Sequence, residues 1–337
     1  MTPAQSDDAR LRQLLGGYRL SQAIHVAAVL RVADALLEQP LDEVELAKAT
    51  DADGAGLGRV MRALSAVGVF TEDDAGRFAN NELSLGLVTD TPGSVRAHAV
   101  FVGSEYHWNT WSSLIHSART GTGAFEVLYG TDPWTYRAER PEESAVFDAA
   151  MKSLTEGLVE VVAATYDFEQ VQTVVDVGGG NGTLLMGLLT AKPHLSGTVF
   201  DLAHVIDGAR DAIESSPVQD RLRLAAGSMF EEVPPGADCY LLKSVVHDWD
   251  DDEAVAILAR CRDAMTDRSA LLIVERLLEG PNRGAEAKLM DLTMLVMLGG
   301  RERTEDGYAQ LCRRAGLRLT RTLPVRDAWC VLEAVRS

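Results

Sequence analysis

Residues 173–189 read TVVDVGGGNGTLLMGLL, and the reading of this stretch decides the fold. A β-branched run passes into glycines and then into a leucine-rich helical pattern. A buried strand is therefore predicted to feed a glycine loop and a helix. Glycine lets the backbone take positive φ and approach a ligand closely, and the helix start adds oriented N–H groups. A dinucleotide fingerprint needs G-x-G-x-x-G. Counted from Gly178, its third glycine position holds Thr183; counted from Gly180, it holds Leu185. The pattern present is Asp176-x-Gly178-x-Gly180-x-Gly182, which suits a ligand with a cationic amino acid end rather than a pyrophosphate.

Around this stretch, residues 171–337 alternate strand and helix. TVVDVG, GTVFDL, RLRLAAG, DCYLLKSVV, SALLIVER, LRLTRTL and WCVLEAV are the expected strands. Short Val/Ile/Leu-rich runs between helical patterns predict a mostly parallel sheet covered on both faces, with ligands beyond the carboxyl ends of its strands. Asp201 ends the second strand, where a carboxylate can accept both hydroxyls of a ribose; the alternative is a cap for the following helix. Ser228, Met229 and Phe230, after the third strand, could line an adenine by hydrogen bonding and apolar contact. After the fourth strand comes VVHDWDDDEAV, residues 245–255. Read alone, His247 is either a base or a helix-capping histidine. Asp248, Asp250, Asp251, Asp252 and Glu253 read as an acidic, solvated helix start, where the dipole favours negative charge. Trp249 reads as packing.

Residues 8–100 differ from this pattern. Helical periodicity runs through LRQLLGGYRLSQAIHVAAVLRVADALLEQ, then VELAKAT, then GLGRVMRALSAVG, and VF–TEDDAG–RFA reads as a hairpin. Helix, turn, helix, hairpin is a winged-helix arrangement, and such arrangements often bind DNA. Here the second helix offers only Arg59 and Arg62, and the hairpin turn is acidic. A helical packing or dimerisation module is the better reading. Residues 101–170 are predicted mostly helical, with one long helix in ESAVFDAAMKSLTEGLVEVVAATYDF. Phe147 and Met151 lie four apart and share a face, either core or ligand wall.

The 337 residues suffice for two domains, and a net charge of −18 argues against a nucleic-acid binder. The four cysteines (Cys239, Cys261, Cys312 and Cys330) form no CxxC pair and no zinc spacing, so reduced thiols in a cytoplasmic protein are expected. MTPAQSDDAR is polar and acidic, unlike a signal peptide, and the apolar runs are too short to cross a bilayer. His107, beside Trp108, reads as a satisfied histidine rather than a pocket residue. No metal is expected, because the sequence offers no ligand cluster beyond acids with other roles.

DVGGGNG, FDLAHVI, GSMFEEVP, LLKSVVHDWDDDEA, LLIVE and GGRERTEDGYAQLCRRAGL occur in that order. With these motifs the chain resembles the S-adenosylmethionine-dependent O-methyltransferases of the plant caffeic-acid/flavonoid type, and most of all their bacterial branch that modifies polyketide and other aromatic natural products. The resemblance spans nearly the whole chain. It implies an α/β fold: a Rossmann-like class I methyltransferase domain with a mostly parallel sheet, plus an N-terminal helical, winged-helix-like dimerisation domain. It divides the chain into a dimerisation domain (1–100), a helical linker contributing to the acceptor pocket (101–170) and a catalytic domain (171–337). The resemblance implies S-adenosyl-L-methionine as cofactor, held by Gly178, Gly180, Asp201, Leu202, Ser228, Met229, Phe230 and Lys243. The family often has Asp where Ser228 stands, so that contact loses its charge assistance. His247 matches the general base, Glu275 the carboxylate that orients it and Glu302 a second carboxylate near the acceptor, which could orient the histidine as well or hold the acceptor. Phe147, Met151, Met290 and Asp291 fall where the acceptor pocket is built. The implied partners are a small aromatic hydroxyl-bearing acceptor and a second copy of the chain, with no nucleic acid and no membrane. Some proteins of this fold keep the cofactor but hydroxylate, decarboxylate or run pericyclic reactions; retention of His247, Glu275 and Glu302 argues for methylation.

Overall fold

The computed structural model describes residues 7–337. Part of the polar N-terminal stretch read above, residues 1–6, lies outside them. The described chain forms two compact units. The first comprises residues up to 108 together with 145–154; the second comprises 109–144 and 155–337.

In the first unit, helices Asp7–Leu15, Gly17–Val29 and Val32–Ala35 precede the expected pair Glu43–Thr50 and Gly54–Ala66. Both members of the pair start on a side-chain cap. Asp42 accepts from the amides of Val44 and Glu45 while Glu45 returns to the Asp42 amide, and Asp53 accepts from Gly56. The hairpin is present as β1 (Thr71–Glu72) against β2 (Phe78–Ala79), with Asp73 Oδ1 fixing the turn through the amides of Ala75 and Arg77. Leu46, Leu57, Met61, Leu64, Phe70 and Phe78 are the buried centre of this unit. Arg62, one of the two basic residues on the second helix, pairs with Glu43 at 2.6 Å.

The second unit is built on seven strands: β3 (Thr173–Val177), β4 (Ser196–Asp201), β5 (Leu222–Ala226), β6 (Cys239–Lys243), β7 (Ala270–Arg276), β8 (Leu317–Arg326) and β9 (Trp329–Arg336). All seven strands read from the sequence are present. Their order is β5-β4-β3-β6-β7-β9-β8, parallel except for β9, which runs antiparallel to both of its neighbours. Continuous apolar runs such as CYLLK and ALLIVER are buried because helices cover both faces. The helix Pro141–Thr165 and the helix Thr183–Ala191 cross closely at Gly187, where a Cβ would collide with the Val159 side chain. Register places the carboxyl ends of β3, β4 and β6 side by side. Cys239, Cys261 and Cys312 are buried, and all four cysteines are free thiols. Among the described residues, no helix is long and apolar enough to cross a membrane.

Candidate active site

β3 ends in the glycine loop as expected. Gly178, Gly180 and Gly182 have φ of 69°, 56° and 75°, a region that disfavours any side chain. A Cβ on Gly178 would also stand 2.9 Å from Val245 Cγ2, so the loop and the segment after β6 touch only because residue 178 is glycine. Gly178 donates to the Phe200 carbonyl at 2.9 Å. Asp201, at the end of β4, accepts from Gly180 N at 2.8 Å through Oδ2 and from Leu202 N at 2.7 Å through Oδ1. The following helix, Ala203–Glu214, has no side-chain cap, so Asp201 is not its cap. Burial raises the Asp201 pKa, while the Gly180 and Leu202 amides oppose the rise.

Asp176 lies beneath the loop, and a Cβ on Gly179 would meet its carboxyl group at 2.9 Å. Burial, with the Asp201 charge behind it, raises Asp176 to about 7. Burial lowers Lys243, at the end of β6, to about 8; its Nζ donates to Thr155 Oγ1 at 2.9 Å. A buried carboxylate, Asp176, and a half-buried one, Asp201, both with raised pKa values beside an open glycine loop, are a setting that a cationic ligand would relieve. The donor set therefore fits a sulfonium nucleoside with an amino acid end. Ser228 Oγ accepts from Phe230 N at 3.3 Å, and Met229 and Phe230 pack against the core cluster that contains Val245 and Val246. Phe230 meets Trp249 edge-on at 4.7 Å, and Trp249 stacks towards Trp134 at 6.5 Å, which confirms its packing role.

After β6 the chain takes one 3-10 turn, Val246–Asp248, and this turn carries His247. His247 Nδ1 lies 2.9 Å from Glu302 Oε1 and 3.2 Å from Glu275 Oε2; Nε2 lies 3.4 Å from Asp248 Oδ1. Only the Glu302 contact has hydrogen-bond geometry. The expectation for Glu275 is corrected in this respect. Its Oε1 accepts from the amides of Val245, Val246 and His247 at 3.0, 2.9 and 3.3 Å. Glu275 thus holds the backbone of the turn, and Glu302 orients the ring. The acidic run is corrected as well. Asp250 caps the helix Asp251–Ala264 through a capping box with Glu253, so that helix begins after Asp248. Asp248 sits on the 3-10 turn, its side chain only 12% exposed, against the imidazole.

The electrostatics follow from this crowding. Burial alone would lower His247, but Glu275, Asp248 and Glu302 together raise it to about 9. Burial raises Glu275 to about 7 and Asp248 to about 6, each held back by the His247 charge. His247, Glu275 and Glu302 offer ligand atoms within 4.8 Å of one another, a spacing a divalent ion could use. From the sequence these acids were expected to serve the histidine and the acceptor rather than a metal. Two of these oxygens already bond protein donors, Glu275 Oε1 the three amides and Glu302 Oε1 the imidazole.

Asp291 joins the site through its neighbour, since its Oδ1 accepts from Glu302 N at 2.9 Å. Met290, one residue earlier on the helix Ala285–Met297, is half-buried. Phe147 and Met151 belong to the first unit, where Phe147 packs edge-on against Phe101 at 5.5 Å. His107 is a buried histidine whose Nδ1 lies 3.0 Å from the Val102 carbonyl; burial lowers it to about 4. Asp248 and Arg137 are the residues the sequence reading missed here. Arg137 is buried, lies over the Trp134 ring at 4.6 Å and helps to keep Asp248 ionised. Its sequence context, PWTYRA, carries no sign of this role.

Comparison with known proteins bears on the same residues. The O-methyltransferase domain family matches residues 111–318, and the O-methyltransferase dimerisation domain family matches residues 12–90. The chain is 40% identical to mitomycin biosynthesis 6-O-methyltransferase of Streptomyces lavendulae, over 93% of this chain and 90% of that one. It is 38% identical to a phenazine O-methyltransferase of Lysobacter antibioticus, over 96% and 95%. Among solved structures, an O-methyltransferase from neocarzinostatin biosynthesis superposes with a TM-score of 0.81 at 35% identity, over 94% and 96% of the two chains. That structure is a complex with S-adenosylmethionine and 2-hydroxy-5-methyl naphthoic acid.

Proposed function

The chain belongs to the S-adenosylmethionine-dependent O-methyltransferase family, and on that footing we propose that it methylates a phenolic or enolic hydroxyl of an aromatic secondary metabolite, with His247 as general base. Its cofactor is S-adenosyl-L-methionine. When bound, that cofactor supplies a methyl group already activated on a sulfonium. The remaining work falls to the chain: to hold the acceptor in line, which can contribute about 7 kcal/mol or more, and to remove its proton.

The observation that carries the reading is the imidazole held at Nδ1 by Glu302, 2.9 Å away, at the carboxyl end of a parallel strand. A proton kept at Nδ1 leaves Nε2 of the neutral ring as the accepting atom. The surrounding carboxylates strengthen that base. Moving a proton from a phenol of pKa about 10 to a histidine near 6.5 costs about 5 kcal/mol, and raising His247 to about 9 removes most of that cost. Asp248 and Glu275 lie within 3.4 and 3.2 Å of the ring, where they stabilise the imidazolium as it forms. Asp201, Gly178, Gly180, Leu202, Ser228, Met229, Phe230 and Lys243 hold the nucleoside, and Met290 and Asp291 shape the acceptor side. The 2-hydroxy-5-methyl naphthoic acid bound in the O-methyltransferase from neocarzinostatin biosynthesis supports an aromatic substrate.

In this reading the chain has three parts: a dimerisation domain over 1–100, a linker over 101–170 and a catalytic domain over 171–337. The protein acts as a cytoplasmic homodimer. The match to the dimerisation family supports the dimer, as do the exposed Leu11, Leu14, Leu15 and Tyr18 on the first helices.

The test is incubation with labelled S-adenosylmethionine and a panel of phenolic acids and polyketides. Release of S-adenosylhomocysteine with a gain of one methyl on the acceptor is expected. An acceptor altered without methyl gain would mean divergent chemistry on the same fold. His247→Ala should lower turnover by about 10²–10⁴-fold while cofactor affinity stays put.

A further inference from the structure

A base on a single 3-10 turn has a backbone problem. The turn Val246–Asp248 has almost no internal hydrogen bonding; the Asp248 amide reaches the Val245 carbonyl at 3.2 Å. The segment is nevertheless buried, where unpaired peptide groups are costly. Glu275 collects three of its amides, as described. The carbonyls need donors of their own, and one side chain supplies most of them. Arg303 Nη1 donates to the Val246 carbonyl at 3.0 Å, and Arg303 Nη2 donates to the Trp249 carbonyl at 2.9 Å. These carbonyls flank His247 on both sides. The His247 carbonyl itself accepts from Arg301 N at 2.8 Å.

The guanidinium is aimed from two directions. Asp251 Oδ1 accepts from Nε at 3.0 Å and from Nη2 at 2.8 Å. The backbone of Arg303 is tied to the continuation of β7, because Leu278 N donates to its carbonyl at 3.0 Å and Leu277 bridges to it. The side chain is 4% exposed. Arginine matches this task because its planar fork presents several donors in fixed directions, which lysine does not.

We infer that Arg303 is a positioning residue for the base: paired in function with Glu275, its guanidinium fixes the turn that sets where His247 presents Nε2. The carboxylate takes the amides and the guanidinium takes the carbonyls, so the turn is held by side chains of opposite charge from either end. This inference rests on His247 acting as the base, as proposed above. Arg303 touches no reacting atom and acts only through the turn.

The test uses full-length Arg303→Gln. A displacement of about 1 Å can cost about 10²-fold in rate, so kcat should fall by that order while KM and Kd for S-adenosylmethionine stay at wild-type values. A readout independent of methyl transfer is the strongly deshielded Nδ1 proton that His247 shares with Glu302, followed by NMR on selectively labelled histidine. It should broaden or vanish in the variant. Wild-type kcat with an unchanged Nδ1 proton would overturn the inference. So would equal losses of kcat and cofactor affinity, which mark a general structural role. If Arg303→Gln does not fold, Asp251→Asn loosens the guanidinium from a more exposed position; a smaller loss in kcat and a weaker Nδ1 signal are expected, and no change in either overturns the inference. A wild-type enzyme that transfers no methyl, yet whose Nδ1 proton depends on Arg303, would sink the methylation reading and support the positioning role.

Discussion

Replacing Glu302 by Gln removes a charge but keeps an amide oxygen at the same reach, so the tautomer of His247 survives while its basicity falls. Glu302 acts on the imidazole both as hydrogen-bond acceptor at 2.9 Å and as a nearby charge. A hydrogen bond to a charged partner is worth about 1.5–3 kcal/mol, which is about one to two pKa units at 1.36 kcal/mol each. A general base at His247, raised to about 9, would work only when deprotonated, so turnover should climb with pH and level off above that value. In Glu302→Gln the levelling should come about one to two units earlier. The plateau should also stand about 10–100-fold lower, because the forming imidazolium has lost its charged partner. Initial rates of S-adenosylhomocysteine formation, at saturating cofactor and across the pH range, read both quantities. A variant whose profile levels off where the wild type does would refute the assignment of Glu302 as one of the groups that strengthen the base.

Asp201→Asn should weaken cofactor binding by about 10-fold or more with little change in the pH profile, since it alters a carboxylate fixed by two amides at the end of β4; calorimetry with S-adenosylmethionine checks it. Gly300→Ala places a methyl group against the His247 carbonyl oxygen and the Asp248 carbonyl, so kcat and Tm should both fall, as seen in rates and thermal melts. The particle in solution should have twice the chain mass of 36.4 kDa, and Leu14→Asp with Leu15→Asp should shift it towards the monomer in light scattering.

Much of this architecture is legible in the sequence, for physical reasons that differ by region. A strand buried on both faces leaves a continuous apolar run, and glycines after it announce a positive φ; β3 and its loop carry both signs. The place of Asp201 at the tip of β4 was legible because the apolar run before it ends there. Asp248 was misread although a signal existed. Asp250 and Glu253 stand three apart, the spacing of a capping box, which starts the helix after them and leaves Asp248 outside. The division of labour between Glu275 and Glu302 was not legible. Both are acids at matching motif positions, and only the fold decides which one meets an imidazole and which one meets amides. Arg303 was invisible for the same reason, since the partners through which it reaches the turn are carbonyl oxygens, which every residue possesses.

Glu275 has one oxygen on three amides of the turn and the other 3.2 Å from the imidazole. The location of the ring and its affinity for protons are therefore a single adjustable quantity when changed from that side. Shortening the side chain to aspartate would move the turn and weaken the base in one step. An engineer who wants to retune the enzyme for a more acidic or less acidic hydroxyl without shifting the ring must instead work from Glu302 or Asp248, which touch the imidazole and leave the turn's amides alone.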